Sequence, residues 1–350
     1  QVRVGLTDNA EYEKIQGNNP DGTDNPAYVD MLDVDNFITY MFSNFWGGTG
    51  DWPGHNWYGA GQRVPDDTGF KFFNWDSEGA IIIWSDLNRN VLGVNNGNTP
   101  GEIWAGIKQN AEFRMRFADH AHAYLFNDGP ASADASRARY EELATTVELA
   151  IIAESARWGD QAGGAPYTQA HWAGYKDYVL DTYMPQRPDV FLQQLKGANL
   201  YPSTAAPSFN INGTAQHGGT VDLGDSFTID APAGQIYVTT DGSDPRPYGG
   251  GAPDAGDLYS GTYILTAGSH FKARVYDSAS GQWSALNEAA YCIDLAPDIR
   301  ITEIMYNPTD PATTGPESAF TDNDDFEYVE LVNTSDIVPL DLSGVSFSNG

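Results

Sequence analysis

The spacing of apolar side chains divides the chain into a helical part and an alternating part. From about residue 30 to residue 200, apolar side chains recur at the three- and four-residue intervals of amphipathic helices. The first helix begins at Val34, and a glycine-rich break at residues 47–50 ends it. Its apolar face carries Phe37, Ile38, Met41, Phe42 and Phe45. The pattern predicts further helices over residues 100–110, 111–126, 134–158, 168–183 and 187–196.

Other segments have the composition and period of β-strands. Residues 69–75 are rich in aromatic side chains and predict a strand that ends at Asp76. The longest apolar run, residues 80–84, predicts a strand or a buried piece of helix. Beyond residue 207 the apolar period shortens to two. This period predicts strands over residues 226–229, 235–239, 261–265, 270–276, 289–293, 299–305 and 326–332.

The order of these elements predicts a multidomain chain. We expect a mainly helical α+β domain over residues 1–201, a proline-containing linker over residues 202–207, and an all-β sandwich over residues 208–294. Residues 298–350 predict a further all-β domain that has too few strands to be complete. Because the chain also begins with Gln rather than Met, we expect sequence beyond both ends.

The chain is strongly acidic. It has 48 acidic and 18 basic residues spread along its length, which gives a formal net charge of −30. Such a surface repels phosphate groups, so we expect no nucleic acid as a partner. This charge has three possible explanations: high solubility, binding of divalent cations, or a salty environment. Composition leaves all three open. No run approaches the ~18 apolar residues of a membrane helix, so we expect no membrane span in this chain.

Cysteine and histidine give little sign of a metal site. The single cysteine, Cys292, excludes an intrachain disulfide and a cysteine-based metal cluster. Its two neighbours are apolar, so we expect it to be buried as a small hydrophobic residue. His120 and His122 lie two positions apart in a predicted helix, where such residues do not share a face. His55 lies in an aromatic loop, where a structural role is the more common one.

The densest group of polar residues that can carry chemistry lies between the first helix and the aromatic strand. It comprises the loop Asp51-Trp-Pro-Gly-His-Asn56-Trp-Tyr58 and the segment Phe73-Asn-Trp-Asp76-Ser-Glu78. This combination resembles the C-terminal part of the CotH (spore coat protein H) kinase-like family. Residues 113–129, 152–160 and 184–187 resemble the helical tail of the same family. The resemblance therefore covers about residues 26–201.

The resemblance implies a phosphotransferase site that uses Mg²⁺ and ATP. It implies that Asp51 orients the accepting hydroxyl, that Asn56 and Asp76 hold the nucleotide through Mg²⁺, and that Glu78 is a further metal ligand. Four residues separate Asp51 from Asn56, which is also the interval between the catalytic-loop Asp and Asn of protein kinases. Carboxylate and amide oxygens suit Mg²⁺. Taken without the family, the same residues are ordinary turn residues.

Two departures limit what the resemblance implies. Glu78 stands where the family often has Asp, and its side chain is longer. The glycine-rich loop and the lysine that bind the nucleotide are not identifiable, and we expect them upstream of residue 1. This chain alone is therefore not expected to transfer phosphate. Sugar or nucleotide stacking competes with core packing for the aromatic side chains nearby, and we expect core packing. These side chains are Trp46, Trp52, Trp57 and Trp75.

The two β regions resemble known accessory modules. Residues 237–245, 259–262 and 271–276 resemble the C-terminal β-sandwich of chitobiases and related hexosaminidases, which implies no hydrolysis. We expect Asp241 to begin a tight turn that closes a hairpin, with Ca²⁺ held by Asp241 and Asp244 as the alternative. Residues 299–308, 325–334 and 340–344 resemble the start of a lamin-tail domain, which is immunoglobulin-like. The acidic residues 322–325 predict a solvated loop, with Ca²⁺ binding as the alternative.

These patterns support three hypotheses. The first is a secreted or cell-surface bacterial kinase of the CotH type, which in its intact form transfers phosphate from a nucleoside triphosphate to protein hydroxyl groups. The second is a noncatalytic adhesion or scaffold protein that keeps the kinase-like fold beside two interaction modules. The third, contact with glycans or the cell envelope through the middle module, requires a row of exposed aromatic side chains. Catalysis predicts that Asp51, Asn56 and Asp76 converge around a gap the size of a metal ion.

Overall fold

The chain combines helices and sheets, as the hydrophobic pattern predicts. A computed structural model describes residues 6–61, 69–161, 164, 166–293, 299–311, 313–316, 320, 322–334 and 342. Helices lie between residues 9 and 197 with one small hairpin among them, and sheets begin at residue 208. Within the described ranges, no helix is both long enough and apolar enough to cross a membrane.

The predicted helices are confirmed, with ends shifted by a few residues. They are α1 (Asn9–Lys14), α2 (Val34–Gly47), α3 (Pro100–Ile107), α4 (Ala111–Leu125), α5 (Ala133–Trp158), α6 (Gln169–Tyr178) and α7 (Met184–Gly197). The short α1 was not predicted. The predicted break between the last two helices is wrong, because a π-helical turn over Val179–Tyr183 joins α6 to α7.

Helix α2 forms the centre of the helical core. Asp33 caps its first turn by accepting a hydrogen bond from the Asn36 backbone N–H. Gly48 ends it in the left-handed conformation, with φ 62°. The predicted apolar face is confirmed, since all of its members are buried. They pack against aromatic side chains of α3, α4 and α7, namely Trp104, Phe117 and Phe191.

The strands form several small sheets. Between α2 and α3, β1 (Trp57–Ala60) and β2 (Lys71–Asn74) make an antiparallel hairpin. Further along are β3 (Ser208–Ile211), β4 (Thr214–Ala215), β5 (Gly219–Val221), β6 (Ser226–Asp230), β7 (Gln235–Thr239), β8 (Tyr263–Ile264), β9 (Ser269–Asp277), β10 (Gln282–Trp283), β11 (Asn287–Ile293), β12 (Ile299–Met305) and β13 (Tyr328–Asn333). The strands predicted over residues 69–75 and beyond residue 207 are confirmed with shifted ends, although the strand expected over residues 261–265 shortens to β8.

Two sheets in this region share one core. One sheet has the order β4-β3-β6-β8, and the other has the order β10-β9-β11-β5 with β7 also paired to β9. Phe227 of the first sheet stacks on Phe271 of the second, with ring centroids 3.9 Å apart. The sheets therefore pack face to face. Strands β12 and β13 pair only with each other among the described residues, and residues 340–344 of the lamin-tail-like pattern lie outside them except for Leu342.

Three local predictions are wrong. Residues 80–84 form turns and bends, because Ile81 and Trp84 adopt left-handed backbone conformations that neither a strand nor a helix uses. Cys292 is exposed, since Tyr291 faces the core and successive residues of a strand face opposite sides. The turn at Asp241 does not close a two-stranded hairpin, because β7 pairs as a strand with β9 and meets the segment that follows it only at the isolated bridge between Tyr237 and Leu258.

A set of charged side chains around the buried Arg274 joins α4 to the two packed sheets. This ion cluster consists of Glu112 and Asp119 on α4, Asp244 and Arg246 in the loop after β7, and Arg274 on β9. Arg274 is 1% exposed and donates hydrogen bonds of 2.7–2.8 Å to both Asp119 and Asp244. Burial alone lowers the pKa of Arg274, but these two carboxylates outweigh it and hold the pKa above its ordinary value. The cluster keeps the sheets in a defined position against α4.

Candidate functional site

The loop after α2 brings two of the predicted site residues together. Asn56 donates a hydrogen bond of 2.6 Å from Nδ2 to Oδ2 of Asp51. Asn56 adopts a left-handed backbone conformation, with φ 64°, a region that asparagine tolerates better than most residues. The imidazole Nε2 of His55 lies 3.8 Å from the same Asp51 oxygen. Asp51 is therefore the polar centre of this loop.

The second oxygen of Asp51 is buried and has no hydrogen-bond partner. It faces Gly79, where an added Cβ atom would lie 2.8 Å from Oδ1 of Asp51. The same Cβ atom would lie 3.1 Å from Cε3 of Trp84. The backbone N–H of Gly50 donates to the carbonyl of Gly79 at 2.7 Å, which holds the two segments together. An unpartnered buried carboxylate oxygen is costly, so this oxygen is a candidate ligand or proton acceptor.

Asp76 and Glu78 lie beside this site on the surface. Asp76 follows β2 with φ 52°, and Glu78 lies in the 3₁₀ turn Ser77–Gly79. Both residues are exposed. Over the described part of the chain, no group of three or more His, Cys, Asp or Glu side chains has the geometry of a metal site. The structure thus pairs Asp51 with Asn56 and does not gather Asp76 and Glu78 with them into a carboxylate cluster.

The pair Asp51 and Asn56 fits one side of a magnesium site. Mg²⁺ in phosphoryl-transfer enzymes is often held by only one or two protein carboxylates plus phosphate oxygens and water. The buried Oδ1 of Asp51 is an oxygen without a partner. Asn56 uses its amide nitrogen on Asp51, which leaves its oxygen for another contact. Asp76 and Glu78 are exposed on the segment that follows β2.

Left-handed backbone conformations are concentrated around Asp51. Asn56, Asp76, Ile81 and Trp84 all have φ between 52° and 64°. Such conformations are costly for residues other than glycine, and most of all for a β-branched residue such as Ile81. They persist where surrounding contacts impose them, as the hydrogen bond from Ile81 N–H to the Gly47 carbonyl does here at 2.7 Å. Local strain of this kind is typical of functional sites.

A buried arginine supports the loop from behind. Arg187 of α7 is fully buried and donates to the carbonyls of Phe45, Trp46 and Leu87 at 2.7–2.8 Å. Two of these carbonyls lie in the last turn of α2, where helical carbonyls lack partners within the helix. Burial lowers the pKa of Arg187. The hydroxyl of Tyr183 donates to the Trp46 carbonyl at 3.2 Å, and burial raises the pKa of Tyr183 to about 12, so it remains a donor.

Sequence reasoning did not identify this role of Arg187. The signal was present, because Arg187 precedes Phe191 and Leu195 at four-residue intervals and so lies on the buried stripe of α7. A charged residue on such a stripe requires buried partners. Which partners these are depends on α2, which lies far away along the chain.

The tryptophans near the site differ in burial. Trp52 is buried, and its Nε1–H donates to the Tyr40 hydroxyl at 2.6 Å. Trp46 and Trp57 are partly buried against the same core, so core packing is confirmed for these three. The prediction is wrong for Trp75, which is exposed because it lies on the outer side of the β1–β2 hairpin.

The other residues considered as metal ligands have protein partners. His120 contacts Asp35 at 2.9 Å, whereas His122 contacts the Tyr201 hydroxyl at 2.8 Å. Both oxygens of Asp244 accept hydrogen bonds from Arg274. The remaining candidates, Asp241 and Asp322, bond to nearby groups in their own turns.

Comparisons with known proteins do not place the chain in a family. No family model, no curated protein and no solved structure matches it.

Proposed function

We propose that the Asp51 loop is the catalytic part of a CotH-type phosphotransferase site in an exported bacterial protein. The observation that carries this proposal is the Asp51–Asn56 pair, with one Asp51 oxygen bonded and the other buried without a partner. A site that orients a hydroxyl nucleophile needs a carboxylate oxygen that is held in place and still free to accept a proton. Asn56 holds Asp51 through Oδ2, and Oδ1, which lies against Gly79, has no partner.

Each residue has a separate task in this proposal. A nucleoside triphosphate would be the substrate that supplies the phosphoryl group, and a Mg²⁺ ion held by Asn56, Asp76 and Glu78 would neutralise charge on the phosphate oxygens. Asp51 accepts the proton of the protein hydroxyl group. The oxygen of that hydroxyl group bonds to the γ-phosphorus, and the bond between the γ-phosphorus and the leaving nucleoside diphosphate breaks. Asn56 keeps Asp51 oriented and offers an amide oxygen to the metal. Asp76 and Glu78 contribute carboxylates from the adjacent surface segment.

The β regions are proposed to be accessory modules. We assign residues 208–294 to a sandwich like that of chitobiases, and residues 298–350 to the start of a lamin-tail-like domain. The two sheets that share a core support the first assignment, and the β12–β13 pair supports the second. Neither module carries the catalytic residues.

The test is Mg²⁺-dependent ATP binding, measured by calorimetry on the whole protein in which this chain occurs. We expect binding that is lost without Mg²⁺ and weakened at least tenfold in Asp76→Asn. Asp51→Asn should keep nucleotide binding and lose transfer of labelled phosphate to a protein acceptor. Asp189→Asn, a change of an exposed aspartate on α7, should alter neither property.

A noncatalytic scaffold is the second candidate. It is favoured by the position of Asp76 and Glu78, which do not form a carboxylate group with Asp51. On this hypothesis the strained loop and the ion cluster keep a rigid binding surface in place. A folded protein that ignores ATP at millimolar concentration with Mg²⁺ present would exclude the phosphotransferase and leave the scaffold.

A further inference from the structure

The outer face of the β1–β2 hairpin carries a compact group of aromatic side chains. Tyr58 and Phe73 are directly paired across the two strands, so their side chains lie on the same face. Trp75 follows Phe73 by two residues, and its ring centroid lies 5.2 Å from that of Tyr58, at an interplanar angle of 81°. We call Tyr58, Phe73 and Trp75 the aromatic platform.

The opposite face of the hairpin is anchored, which fixes the platform in space. Phe72 is buried against Phe37, with ring centroids 5.4 Å apart. The Phe72 backbone N–H donates to Oδ1 of Asn36 at 2.6 Å. Asn44 of α2 donates to the Asn74 side chain at 2.6 Å. Because the inner face is tied to α2, little conformational freedom is lost when a ligand binds the outer face.

The platform is exposed to an unusual degree for large aromatic residues. Tyr58 is 55% exposed, Phe73 48% and Trp75 58%. Single exposed apolar residues are common, but three adjacent aromatic rings on one rigid face form a patch that marks an interaction site.

Polar residues lie next to the platform at the open end of the hairpin. Asn56 lies two residues before Tyr58, and Asp76 directly follows Trp75. Glu78 is exposed in the turn that comes next. Amide and carboxylate groups beside aromatic rings can hydrogen-bond the hydroxyl groups of a sugar while the rings cover its C–H faces.

The size of the patch argues against a protein partner. Three half-exposed aromatic side chains offer roughly 300 Å² of surface, since each buries about 150–250 Å² when fully covered. A stable protein interface needs about 800 Å² on each side. A second copy of this chain also carries the same charge of −30. Like charges on both partners would weaken a contact that is already small.

The charge also selects among carbohydrates. The carboxylates of Asp76 and Glu78 lie beside the platform in a chain with a net charge of −30. Sulfated and uronic acid polymers would be repelled in the way that nucleic acids are. We propose that the aromatic platform binds a neutral polysaccharide, with Trp75 and Tyr58 as the stacking residues. This inference does not depend on phosphoryl transfer at Asp51.

The test is affinity electrophoresis of the whole chain in native gels that contain hydroxyethylcellulose, laminarin, galactomannan or soluble starch, with polygalacturonate as the anionic gel. We expect at least one neutral polymer to retard the wild-type chain and polygalacturonate not to retard it. Trp75→Ala should lower the association constant at least tenfold, and Tyr58→Ala should lower it severalfold. Both side chains are exposed, so neither variant should lose its fold, which circular dichroism would verify.

Matched exposed aromatic residues on the helices provide the controls. Trp158→Ala and Tyr175→Ala remove side chains that are 48% and 53% exposed far from the hairpin along the chain, and they should leave retardation unchanged. The proposal is overturned if none of the four neutral polymers retards the chain. It is equally overturned if only the anionic gel does so, or if the platform variants and the controls behave alike.

Discussion

Arg187→Met tests whether a buried arginine holds the candidate site in place. The guanidinium group is fully buried and donates to three backbone carbonyls, two of them at the end of α2. Removing a hydrogen bond from a charged donor costs about 1.5–3 kcal/mol. The Phe45 carbonyl also accepts the Gly48 N–H and the Trp46 carbonyl also accepts the Tyr183 hydroxyl, so these two keep a partner.

The expected loss of stability is therefore smaller than the summed cost of removing three such hydrogen bonds. The variant also no longer bears the desolvation cost of a buried guanidinium group, which offsets several kcal/mol. We expect a net loss of about 3 kcal/mol in the free energy of unfolding. The variant should also destabilise the loop that carries Asp51, because the carbonyls lie directly before this loop.

Urea unfolding followed by tryptophan fluorescence measures the first effect, and amide hydrogen exchange measures the second. We expect the amides of Gly48, Gly50 and Ile81 to exchange faster in the variant. Arg139→Met is the control, because Arg139 is exposed and donates to a single carbonyl, that of Pro130. A loss below about 1 kcal/mol, or unchanged exchange in the loop, would refute the supporting role of Arg187.

Three further predictions concern the site, the histidine and the ion cluster. Gly79→Ala places a Cβ atom 2.8 Å from Oδ1 of Asp51, so it should lower the free energy of unfolding by about 1–3 kcal/mol. Under the proposed function it should also weaken Mg²⁺-dependent ATP binding at least tenfold. Gly174→Ala, whose Cβ atom meets no atom within 4 Å, should change neither property. Burial, followed by the charges of His217 and Arg274, lowers the pKa of His122 to about 4, although the Asn287 amide, as an acceptor for the protonated ring, acts in the opposite direction. His122 therefore takes up a proton near pH 6.5 in the unfolded chain, but only near pH 4 in the folded chain. The free energy of unfolding should fall by about 3 kcal/mol as the pH falls through this window. His122→Phe should remove that part of the slope in urea titrations at several pH values, and an unchanged slope would contradict the assignment. A double-mutant cycle of Asp119→Ala and Arg274→Met should give a coupling energy above about 2 kcal/mol, against less than about 1 kcal/mol for the more exposed pair His270 and Glu288.

Much of the secondary structure could be predicted because its signals are local. The apolar face of α2, its Asp33 cap and its glycine end all lie within one short segment. Strand β7 has the predicted bounds, since period-two alternation and its turn residues are also short-range features. The position of Cys292 followed from the same alternation, but reasoning from its apolar neighbours alone led to the wrong side of β11.

The candidate site was found in part. The motif identified Asp51 and Asn56, and a spacing of a few residues in a tight loop is enough to bring them into contact. Gly79, which lies against Asp51, and Trp84, which lies against Gly50 and Gly79, were missed, because this segment depends on left-handed backbone conformations that composition does not reveal. Trp52 and Trp75 illustrate the same limit, since one tryptophan is buried in the core and the other is exposed on a hairpin face.

By itself, then, the sequence determined the elements and their order, because hydrogen bonding within helices and alternation within strands depend on neighbouring residues. Only the tertiary structure decided which distant groups meet: Arg187 with the end of α2, Arg274 with Asp119, and the outer hairpin face with solvent. A buried charge is tolerated only where compensating partners surround it. Those partners come from segments far apart along the chain, so no local pattern could identify them.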